Sequence, residues 1–154
     1  MRNRLLRLLR QHRWAALATT NTDGTPMASM VGYVPSDHAG SLYMHLSRLA
    51  AHTGNLLHNG RAALVISEDD TGTGDPQELA RVTLQGRVVI VTRDSDEYAK
   101  ARDHYLERLP ASERLFDFPD FLLFRLDADS ARFVGGFAQA RSFSSDELCH
   151  VMMR

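Results

Sequence analysis

Alternation between apolar and polar residues recurs along this chain and predicts most of its strands. Leu42, Met44 and Leu46 are spaced two apart, which is the period of a strand with one buried face. A nearly continuous apolar run at 61–67 is typical of a strand covered on both faces. The same patterns predict further strands at 14–20, 27–34, 41–46, 79–92, 121–126 and 131–134, with a turn at 127–130 between the last two.

In four segments the apolar period lengthens to three or four residues, which predicts helices. Their expected positions are 1–13, 48–58, 94–109 and a short last helix opened by a capping box of Ser144 and Glu147. Gly86 falls in the middle of a predicted strand, where a glycine indicates a bulge or the close approach of another chain segment.

The joint between the strand at 41–46 and the helix after it gives the first chemical signal. Ser47 stands where an N-cap residue belongs, and Arg48 follows as the first predicted helical residue. The first turn of a helix has free backbone N–H groups and partial positive charge, so it attracts anions. The guanidinium of Arg48 could add paired donors for a phosphate. The residues alone are equally compatible with a simple cap beside a solvated arginine.

Six or seven strands with two inserted helices predict a mainly β fold, an antiparallel sheet that closes into a barrel and so removes its edges. The 154 residues suit one domain, and we predict a single domain over 1–154. The net charge of −1 gives no general attraction to nucleic acid or membrane surfaces, and we expect neither as a partner. Cys149 is the only cysteine, which fits a reducing, cytoplasmic setting.

Four blocks of sequence occur in a characteristic order. They are Pro-Met-Ala-Ser-Met-Val-Gly-Tyr at 26–33, Ser-Arg-Leu-Ala-x-His-Thr-x-Asn at 47–55, Arg-Val-Thr-Leu-Gln-Gly at 81–86 and Phe-Val-Gly-Gly-Phe at 133–137. Together they resemble the pyridoxamine 5′-phosphate oxidase-related, FMN-binding split-barrel superfamily, and within it the haem-utilisation branch. The resemblance implies a six- to seven-stranded antiparallel split β-barrel with flanking helices.

The resemblance also implies an FMN site and a homodimer. The FMN phosphate would lie on Ser47 and Arg48, with Asn55 nearby, and the flavin would sit between two subunits. The chain would then be a flavoprotein, an FMN-dependent oxidoreductase whose substrate the sequence leaves open. The remaining implied cofactor contacts are Ser29, Met30, Val31 and Tyr33 under the ring, Met44 and His45 beside the ribityl chain, and Arg81 and Gln85 across the dimer interface.

Two other functions stay open at this point. One is a haem-binding or haem-utilisation protein, for which His150 near the C-terminus is the most ligand-like of the seven histidines by position. The other is a split barrel without a cofactor that acts as a dimeric binding module. No spacing of histidine, cysteine or acidic residues in the sequence predicts a zinc site.

Overall fold

The computed structural model describes residues 1–153, which fold into a β-sheet with helices packed against it. The strands are β1 Trp14–Thr20, β2 Pro26–Gly32, β3 Val34–Pro35, β4 Ser41–Ser47, β5 Arg61–Ser67, β6 Arg81–Ile90, β7 Phe121–Val134 and β8 Ala140–Ser144. The α-helices are α1 Arg2–Gln11, α2 Ala51–His58, α3 Asp96–Arg108 and α4 Ser145–Met152, and short 3₁₀ helices occupy Pro76–Glu78 and Pro110–Asp117.

The strands form one antiparallel sheet that closes on itself. Its order is β2-β1-β5-β6-β7-β4-β3, and β8 pairs with β7 outside this path. Only Tyr33 separates β2 from β3 along the chain, yet these two strands lie at opposite ends of the order. The sheet must therefore curl until its ends meet. This confirms the predicted split barrel with flanking helices.

Local signals placed most elements correctly. Ser95 caps α3, and Ser144 and Glu147 make the predicted capping box of α4. At Gly86 the register between β6 and β7 shifts, and a Cβ there would lie 2.0 Å from the carbonyl oxygen of Asp127. The expectation of a bulge and a close approach at Gly86 is confirmed.

The predicted turn at 127–130 is wrong, because β7 runs through it as a continuous strand of 14 residues. The acidic side chain that indicated a turn has partners within the sheet. Asp127 accepts hydrogen bonds from Arg125 at 2.8 Å and from Ser41 at 2.7 Å. The charged carboxylate of Asp127 can therefore lie at a half-buried position within the strand. β7 pairs with β4 in its first half and with β8 in its second.

Two apolar clusters fill the fold. The larger lies inside the barrel and includes Leu5, Leu8 and Leu9 of α1. The smaller packs α3 and the second 3₁₀ helix against the sheet through residues such as Tyr105 and Phe116. None of the described helices is long and apolar enough to cross a bilayer.

Candidate functional site

The Ser47–Arg48 joint differs from the prediction. Helix α2 begins at Ala51, so Ser47 is the last residue of β4 and not an N-cap, and Arg48 lies in the intervening turn. The Ser47 hydroxyl donates to the Asp120 carboxylate at 3.0 Å, and the backbone N–H of Arg48 donates to the Asp120 carbonyl at 2.6 Å. Asp120 thus occupies the donors on which a phosphate was expected.

The guanidinium of Arg48 is exposed and makes no ion pair among residues 1–153. It stands at one end of a groove of about 400 Å³ between the sheet and the start of α3, which we call the arginine groove. The groove's lining is Arg48, Ile90, Val91, Thr92, Arg93, Tyr98, Pro119, Phe121, Leu122 and Leu123.

His45 lies in the apolar cluster behind this groove. It is 7% exposed, and neither ring nitrogen has a hydrogen-bond partner. Its ring stacks on Phe116 with centroids 3.8 Å apart, and the centroid of Phe121, a groove residue, is 5.1 Å away. Burial, aided by the positive charge of Arg93, lowers the pKa of His45 to about 4, so the imidazole is neutral near pH 7.

Asn55 forms hydrogen bonds within the fold. Its amide Nδ2 donates to Thr19 Oγ1 at 3.1 Å and to Asn21 Oδ1 at 2.8 Å. The side chain is buried, so it joins α2 to the hairpin of β1 and β2. Its donors are already used within the fold, away from solvent.

Ser29 makes a contact that the sequence did not predict. Its hydroxyl lies 2.9 Å from Nδ1 of His52 on α2. Burial lowers the pKa of His52, which favours the neutral ring. The nearby positions Val31, Tyr33 and Met44, all predicted to contact a cofactor, are buried in the core, and the Tyr33 hydroxyl donates to the Leu9 carbonyl at 3.0 Å.

Met30 and Gln85 point to the other face of the sheet, which carries exposed apolar side chains. Trp14 is 61% exposed and Met30 46% exposed on this outer face. Strand registers align its side chains in two rows, Met30, Ala16, Val65, Thr83 and Arg132 in one and Ala28, Ala18, Ala63, Gln85 and Ser130 in the other. β5 therefore buries one face only, and the prediction of a strand covered on both faces is wrong for the described chain. Arg81 is held locally, because its Nη1 donates to the carbonyls of Gln77 and Leu79.

His150 lies on a second groove of about 400 Å³, the C-terminal groove, where α4 meets α1 and β8. Its Nδ1 is 2.8 Å from the carbonyl oxygen of Asp146, and Nε2 makes no hydrogen bond within residues 1–153. An Nδ1–H that donates to a carbonyl leaves Nε2 with a free lone pair, which is the state a metal ligand needs. The groove is lined by Arg2, Arg141, Phe143, Asp146, Glu147, His150 and Val151.

The other residues of the C-terminal groove were not predicted as site residues. The guanidinium carbon of Arg141 is 4.8 Å from the ring centroid of Phe143, and Arg141 also pairs with Glu147 at 3.3 Å. Arg2 donates to the His150 carbonyl at 3.0 Å from the opposite end of the chain. Only the folded topology brings α1 beside α4, so no local sequence signal could have joined Arg2 to His150.

The predicted site residues therefore fall into separate places. Arg48 and His45 flank the arginine groove, Met30 and Gln85 share the outer face, and His150 lies on the C-terminal groove. Within residues 1–153 no three histidine, cysteine or acidic side chains converge as a metal site would require.

Comparison with known proteins adds a family and several relatives. The family described as "CREG, beta-barrel" matches residues 6–149. Heme oxygenase HutZ of Vibrio cholerae is 30% identical over 133 residues, which are 86% of this chain and 74% of that protein. The chloroplastic non-canonical heme oxygenase HOZ of Arabidopsis thaliana is 36% identical over 121 residues, 77% of this chain and 34% of that protein.

The structure of a heme binding protein from Mycobacterium smegmatis superposes with a TM-score of 0.85 at 30% identity, covering 97% of this chain and 60% of that one. The chain thus spans only about a third of the plant relative and three fifths of the mycobacterial one. All three names refer to haem and none to FMN, so they favour the haem alternative over the predicted FMN cofactor.

Proposed function

This chain belongs to the CREG β-barrel family, and from that premise we propose that it is a haem-binding protein of the haem-utilisation type. The haem names of its relatives support this proposal. The observation on this chain that carries it is His150, whose imidazole has one nitrogen held by a carbonyl and the other free above an apolar groove. Bound haem would supply a redox-active iron.

The C-terminal groove offers the three kinds of contact that haem needs. The buried side chains of Phe143 and Val151 provide an apolar floor for the macrocycle. Arg2 and Arg141 provide guanidinium groups for the two propionate carboxylates. Arg141 would have to exchange its exposed pairing with Glu147 for a propionate, a small loss because exposed ion pairs are weak.

His150 would act as the iron ligand in this arrangement. Imidazole is a common axial ligand of haem iron, and coordination requires its neutral form with a free lone pair. The hydrogen bond from Nδ1 to the Asp146 carbonyl fixes the tautomer that presents Nε2. Because His150 lies on the exposed side of α4, its imidazole is at the surface, where a flat cofactor can approach it.

We further propose that the protein is a homodimer in which a second copy covers the outer face. The two rows of mostly small side chains make a flat surface. Trp14 and Met30 on this face are more exposed to water than apolar side chains of a monomer usually are. Thr83 and Gln85 belong to these rows, so β6 would contribute to the interface. The C-terminal groove belongs to other elements, so haem binding there does not require the dimer.

A haem titration of the full chain, followed by the Soret band, tests the function. Wild type should bind one haem per chain. In His150→Ala the Soret maximum should move and the affinity should fall by more than about tenfold, since even loss of a hydrogen-bond partner of a metal ligand costs about 10–100-fold. The matched control is His58→Ala, which removes another exposed histidine at the end of a helix and should leave the spectrum unchanged.

Two outcomes would contradict the proposal in different ways. A wild-type spectrum in His150→Ala would show that another residue ligates the iron. The lack of any saturable Soret change in wild type would refute haem binding itself. A parallel titration with FMN, followed by flavin fluorescence, measures whether the cofactor first predicted from the sequence binds instead.

A further inference from the structure

The arginine groove is a second candidate binding site, separate from the C-terminal groove. Arg48 just after β4, the end of β6 and the start of β7 form its walls, and the first turn of α3 adds Tyr98. Its surface is mainly apolar, with Phe121 and Leu123 among its walls. Its volume of about 400 Å³ lies within the range of about 300–1,000 Å³ that is usual for small-molecule sites.

The rim of this groove is positively charged. Arg48 makes no ion pair within residues 1–153. Arg93 is held in place by donating Nη2 to the carbonyls of Phe118 at 2.9 Å and Phe121 at 3.3 Å. The nearby carboxylate of Asp120 is engaged by the Ser47 hydroxyl and forms no salt bridge with either arginine. Both guanidinium groups therefore keep donors for a bound anion.

His45 supplies the second observation. A buried polar group without a partner costs about 1–3 kcal/mol, and folded proteins rarely keep one without a reason. Here both ring nitrogens are buried and unpaired. Phe121, which lines the groove, is also the aromatic neighbour of His45, so rotation of the Phe121 side chain would open the imidazole to the groove.

We propose that the arginine groove binds a small organic anion with an apolar body, such as a carboxylate carried on an alkyl or aromatic group. Arg48 and Arg93 take the carboxylate, and the apolar body packs on Leu122 and Leu123. A neutral His45 completes the site by donating an N–H to the carboxylate once Phe121 has turned aside. One of the two unpaired ring nitrogens is then satisfied in the complex.

Octanoate is a suitable probe, with octanol as its uncharged analogue. Binding to the full chain is followed by two-dimensional NMR of the histidine imidazole signals, without haem. Octanoate should bind one per chain and shift the His45 signals, and octanol should bind at least about tenfold more weakly, the value of one charge-assisted hydrogen bond.

Arg48→Ala and His45→Phe should each weaken octanoate binding by about tenfold and leave octanol binding unchanged. The phenylalanine variant keeps an aromatic ring beside Phe116 and removes both ring nitrogens. Arg87→Ala is the matched control, since Arg87 is an exposed arginine of β6 outside the groove. Equal octanoate affinity in wild type, Arg48→Ala and His45→Phe would overturn the proposal, as would equal affinity for octanoate and octanol. Because no haem is present, either result leaves the haem proposal standing.

Discussion

Replacement of Gly86 by alanine tests the closest contact between two strands of the barrel. The added Cβ would lie 2.0 Å from the Asp127 carbonyl oxygen and 2.8 Å from the Ala128 Cα. Ordinary contacts of a Cβ begin near 3.4 Å, and both neighbours are backbone atoms that cannot rotate away. The strands β6 and β7 must therefore separate by more than 1 Å at the bulge, from 2.0 to beyond 3.0 Å.

The expected loss in the free energy of unfolding of Gly86→Ala is the sum of three effects. Overpacking a rigid site costs about 1–3 kcal/mol, and here the upper end applies because the obstacle is backbone. Separation of the strands weakens one ladder hydrogen bond, at about 0.5–1.5 kcal/mol. Alanine restricts the unfolded chain, which offsets about 0.4–1 kcal/mol. The net destabilisation is about 2.5–4 kcal/mol, or a fall in melting temperature of roughly 5–16 °C for a chain of this size.

Urea and thermal denaturation of wild type, Gly86→Ala and Gly54→Ala would measure this effect. Gly54 is the matched control because it lies inside α2, where an added Cβ meets no atom within 4 Å. Alanine there should stabilise the protein by up to about 1 kcal/mol through helix propensity. Unchanged stability in Gly86→Ala would refute the close approach of β6 and β7 and the reasoning built on it.

Burial alone would raise the pKa of Glu97 and Asp127, but hydrogen bonds from Arg125 outweigh it and lower both values. The two ionised carboxylates stabilise the fold fully above their unfolded pKa values of about 4, and this stabilisation is lost as the pH falls through their lowered folded pKa values. Wild type should therefore lose more free energy of unfolding between about pH 5 and pH 3 than Arg125→Met, as measured by urea titrations at each pH. Asn55→Ala should lower the free energy of unfolding by about 1–3 kcal/mol, measured by urea denaturation, because two buried hydrogen bonds are lost. Met30→Glu should convert a dimer into a monomer in light scattering at micromolar concentration, and a monomeric wild type would contradict the proposed interface.

Features with local causes were predictable from the sequence. Two-residue periodicity located most strands. Ser144 and Glu147 predicted the start of α4, because both partners of a capping box lie within one helical turn. Gly86 was also informative, since a glycine within a strand has few explanations. The resemblance to a split barrel then supplied the closed architecture of the sheet, which periodicity alone does not contain.

The wrong predictions share a different cause, a partner distant in sequence. Ser47 was predicted to cap a helix because it stands between the strand pattern and the helical pattern, but its hydroxyl donates to Asp120, 73 positions later. Asp127 was predicted to lie in a turn, but Ser41, 86 positions earlier, donates a hydrogen bond to its carboxylate, and Arg125, two residues away, adds an ion pair. Patterns within a window of a few residues contain no information on such pairs.

The contrast between His45 and His150 explains why two kinds of ligand are assigned to two grooves. Iron needs a nitrogen lone pair that a bulky macrocycle can reach, and the exposed His150 meets this condition with its tautomer fixed by a carbonyl. His45 is neutral but enclosed between Phe116 and Phe121, so only a small group could reach it. The charges agree with this division, because Arg141 is shared with Glu147 beside His150, whereas Arg48 has no acidic partner within residues 1–153. A small anion gains most where the cations are uncompensated, and a haem gains most where a reachable imidazole lies over an apolar floor.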